Sequence, residues 1–479
     1  MRFTVIGHSC LYVETPAGTI LVDPWLVGSC YWRSWWHFPP SAEPREEWFS
    51  PDYIYLTHHH FDHFHYPSMR RIDRRAHVLI PEFGVDVMAD EVRSLGFEQV
   101  TELSHGEVAR LGNGVRVASF QYGFDDTAFV VADGPDVLVD VNDCKIRGRS
   151  LRRIVEAFGR PTFVMKSYSF AQSYPLGYTA EDPTDLGLVT RQTYVDDFIG
   201  RVGEFRPRYA VPFGSMVAFL HPETRDLNEH LIPPGDVVDA FRRSPAARRT
   251  EAIEMAPGDS WDTETGFSIA GRDWYTEREK HLDQLAESLH DALEGQATAE
   301  AGCTVDWAAF ESYFSGFVRA LPPLSGRVVV KRPIVFHVPS STDAPYWVID
   351  IPGRSVYRTA VAPEDRADTI HVPEAVLADA IDKRVVHVVH GGMRIRTELR
   401  AGGVSDDLTF WGLMTIWELG YLEWRTLVSP RLARVLWRRR AELLDAGRAL
   451  VGRGSFVDRI SNRFAEQPDD DRSPDTVLA

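Results

Sequence analysis

The sequence predicts an α/β protein in which two β-sheets pack face to face with helices outside them, followed by a smaller α+β region. Two observations predict this. Through residues 1–270, short apolar strands alternate with amphipathic helical stretches. Beyond residue 270 the pattern changes to long helices, then strands, then helices again.

The strands come first. Arg2–Ile6, Leu11–Glu14 and Thr19–Val22 are rich in β-branched and aliphatic residues, and a Pro-Ala-Gly turn separates the last two. Tyr53–Thr57 is another apolar run, and more follow at His77–Ile80, Val115–Phe120, Thr127–Val131 and Val137–Val141. Helical periodicity marks Val85–Ser94, Ser150–Phe158 and Val195–Phe205. Trp274–Leu293 reads as one long charged helix and Trp307–Leu321 as a second, and Pro322, Pro323 and Gly326 then break the chain. These features divide it into a catalytic domain over 1–270, an α+β accessory region over 271–463 and a disordered acidic tail over 464–479. Ser429-Pro430 opens a late helix with an N-cap and a first-turn proline. Its basic run, Arg431, Arg434, Arg438, Arg439 and Arg440, is expected to be a solvated face, so Arg439→Ala should leave turnover alone.

Charge and composition narrow the function. Of 479 residues, 44% are hydrophobic and 25% charged, as in an ordinary globular protein. A formal net charge of -17 argues against general nucleic-acid binding, because such a surface repels a phosphate backbone. No apolar segment is long enough to span a membrane, and the N-terminus lacks the pattern of a secretory leader, so a cytoplasmic location is expected. Cys10, Cys30, Cys144 and Cys303 form no C-x-x-C pair, which disfavours a thiolate zinc site.

The chemistry concentrates in Thr57-His58-His59-His60-Phe61-Asp62-His63, directly after an apolar strand. In an extended or turning segment His58 and His60 point the same way, so both imidazoles reach one ion. Asp62 and His63 lie further on, where they reach a second ion or orient the first ligands. Imidazole with carboxylate suits zinc, iron or manganese rather than calcium.

This H-x-H-x-D-H after a strand resembles the signature of the metallo-β-lactamase superfamily, which implies an αββα sandwich holding one or two divalent metal ions. On that resemblance Asp23, in ILVDPW, is the buried aspartate bracing the histidine loop. Asp143, in VDVNDCK, is the bridging acidic ligand, and His221, in PFGSMVAFLHPE, is the candidate last ligand. The family's third histidine on the first metal is missing. Tyr122 falls nearest its place, in QYGFDD, and Asp125 or Asp126 are the alternatives. Without a substitute, His58, His60 and Asp143 remain, a set of two histidines and a carboxylate associated with non-haem iron that activates dioxygen. The metal set is therefore His58, His60, Asp62, His63, Asp143 and His221, and Asp62, Tyr122 and Asp126 are the candidate catalytic groups.

Longer stretches resemble the CMP-N-acetylneuraminate hydroxylase group: WWHFPP at residues 35–40, YIYLTHHHFDHFHYPSMRRI, Asn142-Asp143-Cys144, RPRYAVPFGSMVAFLHP, and VPEAVLADAIDKRV through DDLTFWGLMTIWEL. The resemblance implies an iron-dependent, dioxygen-using hydroxylase acting on a small polar substrate. No cysteine begins the C-x-H or C-x-x-H pairs of a Rieske centre, so electrons are expected from a separate donor protein or from the substrate. The competing reading is a zinc hydrolase of an ester, amide, lactone or phosphodiester, with Asp62 as general base. Trp25, Trp32, Trp35, Trp36 and His37 either wall the site or are ordinary packing. His8 either faces the site or is a core histidine. Lys145, Arg147, Arg149 and Lys166 are candidates for holding an anionic group.

Overall fold

The computed structural model describes residues 1–123, 125–323, 325–363 and 367–442. Among these, eight strands form one sheet and seven form a second. The first sheet begins with the antiparallel run Arg2–Gly7, Cys10–Thr15 and Gly18–Val22. It continues in parallel through Tyr53–Tyr55, His77–Pro81 and Val100–Leu103. The second sheet centres on the hairpin Val115–Tyr122 and Asp126–Asp133, then Asp136–Asn142, which pairs in parallel with Phe163–Lys166.

The alternation of apolar residues explains the layering. Phe3, Val5, Leu11 and Val13 from one sheet meet Val117, Phe129, Val131 and Leu138 from the other in a shared core. The opposite face of the first sheet buries Ile54, Val78 and Ile80 against Met88, Ala89 and Val92 of the helix Val87–Ser94. The opposite face of the second sheet packs on the helices Gly148–Phe158, Arg191–Phe205 and Pro234–Arg243. The result is an αββα sandwich, a metallo-β-lactamase fold, followed by a mixed C-terminal region.

That region has its own core, in which the helices Trp307–Ala320, Glu374–Lys383 and Val404–Glu418 cover a third sheet. Five of the sheet's six strands lie between Ile334 and Leu399, and the sixth is Tyr178–Ala180, from well before residue 270. The boundary drawn at residue 270 is thus crossed by one strand. The single helix expected over Trp274–Leu293 is two, Arg278–Ser288 and His290–Glu300, separated at Leu289. Both lean on a small apolar cluster around Trp36, Phe38 and Ala218. The tail expected to be disordered, 464–479, lies outside the described residues.

The late helix is Pro430–Arg438, with Ser429 capping it through Leu432 N–H. Four of the five arginines in its basic run are tied to carboxylates, while Arg440 is exposed. Arg431 reaches both carboxylate oxygens of Glu102, at 2.7 and 2.8 Å, and the carbonyls of Phe83 and Val85. Arg434 pairs with Glu82 and Arg438 with Glu107, each at 2.8 Å. Arg439, just past the helix, is buried and pairs with Glu442. A charge run cannot reveal this from sequence, because Glu102, Glu82 and Glu107 lie more than 300 positions earlier.

Candidate metal centre

Asp23 closes the strand Gly18–Val22 in a left-handed conformation, with φ 44°, one position beyond the strand. This turns its carboxylate under the neighbouring loop. The carboxylate accepts from Thr57 N–H at 2.8 Å, Thr57 Oγ1 at 2.6 Å and His63 Nδ1 at 2.7 Å. The histidine loop is therefore pinned at both ends by one buried acid, and the tautomer of His63 is fixed with Nε2 facing away from Asp23.

The other side chains converge on that Nε2. It lies 3.1 Å from Asp62 Oδ2 and 3.4 Å from Asp143 Oδ2. His8 Nε2 lies 2.9 Å from Asp62 Oδ2, and Tyr31 donates to Asp62 Oδ1 at 2.5 Å. His58 Nε2 faces His60 Nδ1 at 2.8 Å, and His60 Nε2 is 3.8 Å from Asp125 Oδ2. Two sets of donor atoms gather within 4.8 Å: His8, Asp62 and His63, and His58, His63 and Asp143.

These residues fit a divalent cation. His63 Nε2 is buried and makes no hydrogen bond among the described residues, although two carboxylates flank it. Burial opposes charge on His63, yet Asp62, Asp23 and Asp143 outweigh it and hold the ring well above its ordinary value. Burial likewise opposes ionisation of Asp62, and His63 and His8 override it, leaving that carboxylate well below its usual range. Asp143 is lowered in the same way by His63. Burial, with His63 and His60 beside it, drives His58 well below its ordinary value, so it is a neutral ring with a lone pair to give. Anionic carboxylates beside a neutral His58, with His63 free to give up its Nε2 proton to an incoming cation, are the donor set that a zinc, iron or manganese ion requires.

His221 is not part of this cluster. Its Nδ1 lies 3.6 Å from Glu223, and its other charged neighbours are Arg394 and Glu300 of the C-terminal side. The strand Val217–Phe219 before it pairs with Trp35–His37, which carries the chain past the site. His8 stands with Asp62 and His63 instead. Trp25 and Trp35 contact His8 edge-on at 5.6 and 5.9 Å, so two of the aromatic residues back a donor directly.

A cavity of about 470 Å³ opens beside the cluster and is bordered by His60, Asp62, Tyr122, Asp125, Asp126 and Asp143. Tyr122 and Asp126 face each other across the hairpin, and Arg147 Nε donates to the Tyr122 hydroxyl at 2.9 Å. Asp126 is pushed up to about 8, first by burial and then by the Asp125 carboxylate. Lys166 lies on the wall but is buried against Asp197 at 2.8 Å. The C-terminal region supplies part of the wall, with His387, His390, Trp411 and Thr415. Between the hairpin strands, Gly123 N–H donates to Glu442 at 2.9 Å and the Gly123 carbonyl accepts from Arg439.

Sequence reasoning missed Tyr31, His387 and the Arg439–Glu442 grip. Tyr31, Trp32 and Arg33 are three successive left-handed residues, with φ 50°, 54° and 58°. None is the glycine or asparagine that would have signalled such a turn.

The fold and this ligand-bearing loop define a class. Residues 2–151 match the family model described as the Beta-lactamase superfamily domain. A Mycobacterium tuberculosis (strain H37Rv) protein named for a Rieske 2Fe-2S iron–sulfur centre is 32% identical over 252 residues, which is 50% of this chain and 48% of that one. Mouse cytidine monophosphate-N-acetylneuraminic acid hydroxylase is 23% identical over 244 residues, 48% of this chain and 41% of that one. The chain thus spans about half the length of the curated relatives it matches. A solved CmlA β-hydroxylase variant superposes with a TM-score of 0.39 at 20% identity, covering 54% of this chain and 53% of that one. No helix among the described residues is long and apolar enough to cross a membrane.

Proposed function

We propose that this protein is a non-haem iron oxygenase that hydroxylates a small polar substrate, with electrons delivered by a separate donor protein. The observation that carries the reading is the ligand set. Near the place of the superfamily's third histidine lies Asp125, whose carboxylate is 3.8 Å from His60, and the acidic ligand expected at Asp143 lies beside His58 and His63. Two histidines with carboxylates suit iron that works with dioxygen better than an all-imidazole zinc site. The named functions of the two sequence relatives, an iron–sulfur protein and a hydroxylase, support it.

His58, His60, Asp125 and Asp143 would hold one ion, and His8, Asp62 and His63 a second. Bound iron supplies the one-electron chemistry that lets dioxygen react with an organic molecule. The chain's own residues do the rest. Tyr31 fixes one oxygen of Asp62 by donating to it. Arg147 aims the Tyr122 hydroxyl beside the cavity, where it can hydrogen-bond a substrate. Tyr174, Trp411 and Leu188 give the cavity apolar wall that excludes water from part of the substrate.

Anaerobic reconstitution of the full chain with ferrous iron, followed by oxygen exposure, tests this. Stoichiometric iron binding, a visible absorption change and oxygen uptake are expected. Stoichiometric zinc in the purified protein, with turnover of an ester or phosphodiester restored by zinc alone, would replace the reading with the hydrolase.

A further inference from the structure

The C-terminal region places one histidine on the cavity wall with unusual support. His387 opens the short helix His387–Gly391, and Glu418 ends the helix Val404–Glu418 packed against it. One oxygen of Glu418 accepts from Val386 N–H at 2.8 Å and from the Tyr313 hydroxyl. The other accepts from His387 N–H at 2.7 Å and from His387 Nδ1 at 2.5 Å. The carboxylate is 1% exposed. Burial opposes its charge, but His387 and Tyr313 hold it below the usual glutamate range.

Four donors on one buried carboxylate fix both its charge and the histidine's tautomer. Nδ1 carries the proton toward Glu418, so Nε2 has the lone pair. His387 borders the cavity, and with Nδ1 committed, Nε2 is the ring atom it offers there. His387 also acts electrostatically on His60, in the metal loop, and on Glu91, of the helix Val87–Ser94, so the charged groups around it are Glu418, His60 and Glu91 with the neutral Tyr313. Neither set of converging donor atoms includes it. His390, the other histidine on this wall from the same helix, has its Nε2 engaged with the Tyr178 hydroxyl at 2.9 Å.

We propose that His387 is the proton-transferring residue of this site, supplied by the C-terminal region and positioned by Glu418. Its Nε2 takes a proton from a substrate O–H or N–H and returns one to the product, with no change in oxidation state at the ring. Carboxylate-oriented imidazoles are a recurring device for this task. The proposal rests on the cavity being the reaction site, and holds for an oxygenase or a hydrolase.

The test uses the full chain labelled with ¹⁵N-histidine and loaded with zinc, which is spectroscopically silent. The wild-type spectrum should contain a histidine protonated at Nδ1 and bare at Nε2. That signal should vanish in His387→Gln and become a mixture of tautomers in Glu418→Gln, with zinc content unchanged in both. A wild-type His387 protonated at Nε2, an unaltered signal in Glu418→Gln, or loss of a zinc equivalent in His387→Gln would overturn the proposal, the last by making the residue a ligand. In the ferrous protein supplied with ascorbate, His387→Gln should slow oxygen uptake about a hundredfold. A wild-type protein that takes up no oxygen would sink the oxygenase reading alone, because the spectrum and the zinc content still decide the role of His387.

Discussion

The two halves of the candidate metal site are built in different ways. The inner half, His8, Asp62 and His63 over Asp23, rests on strands and turns that lie within the first 63 residues. The outer half, His58 beside a His60 that faces Asp125, depends on a hairpin loop whose Gly123 is held by Arg439 and Glu442, over 300 positions away. One half is a property of the fold. The other is a property of how the C-terminal region docks on it.

If so, the halves should break differently. Asp23→Ala should do the most damage. It leaves Thr57 N–H, Thr57 Oγ1 and His63 Nδ1 without their shared acceptor, in a place fully closed to water. A loss of about 3–5 kcal/mol of stability is expected, with metal binding abolished, because a broken buried charge network leaves its partners uncompensated. Thermal melts and metal analysis of the same samples check it. His58→Ala should also abolish turnover, but with the melting temperature nearly unchanged, since His58 donates to the site and supports little else. A fully active His58→Ala protein would dissolve the site assignment itself.

Arg439→Ala comes next and carries the comparison. On sequence grounds it was expected to be silent, as part of a solvated run. The structure reverses this: Arg439 is buried, pairs with Glu442 and donates to Gly123 in the loop that brings Asp125 to His60. Loss of that grip should weaken the outer metal by about tenfold, the size typical of removing a supporting partner, while the inner metal is retained. Chelator competition resolves the two. Arg439→Lys should recover only part of the loss, because an ammonium lacks the planar fork that serves Glu442 and Gly123 together. Equal weakening of both metals would mean that the halves are not independent.

The same contrast explains what was legible in the sequence. The αββα order, the histidine loop and its brace are encoded locally, by alternation along strands and by ligand spacing in a turn. Asp143 was expected from the resemblance, and it directly follows the strand Asp136–Asn142 that the pattern made visible. His221 lies outside the described cluster, and sequence order does not say which side of a sheet a following loop returns to. Tyr31, His387 and Arg439 were missed for a related reason. Each acts through a partner far along the chain, and a side chain docking across a domain boundary leaves no periodic trace.

Tyr31→Phe should give a smaller effect and sharpen the inner half. The phenol donates to the Asp62 oxygen that His8 does not use. Its removal leaves one acceptor lone pair on a buried carboxylate unserved. About 1 kcal/mol of stability is at stake, with metal affinity lowered several-fold and the fold unchanged. Isothermal titration with zinc measures it. A variant as tight as the wild type would show that His8 and His63 alone orient Asp62.

The smallest expected effect separates docking from the C-terminal region's own stability. Asp368 lies on the strand Asp368–His371 of the third sheet, accepts from Arg400 N–H at 2.8 Å and has its second oxygen buried without a partner among the described residues. Burial pushes its carboxyl up to about 7, with Asp406 and Asp185 adding to the rise and Arg400 N–H and Arg332 resisting it. A folded state that keeps its proton while the unfolded chain loses one is favoured below the unfolded carboxylate's range, near pH 4. It then loses that stability as pH rises toward 7. Asp368→Asn keeps an acceptor for Arg400 N–H and removes the titration. Its melting temperature should therefore gain on the wild type between pH 4 and pH 7, by a few degrees, and hold that gain above pH 7. Metal content should not move, because this carboxyl supports neither half of the site. A gain in stability accompanied by loss of the outer metal would mean that the C-terminal core and the Gly123 loop are one cooperative unit, and the docking described for Arg439 would then be a consequence of that unit's folding rather than a separate grip.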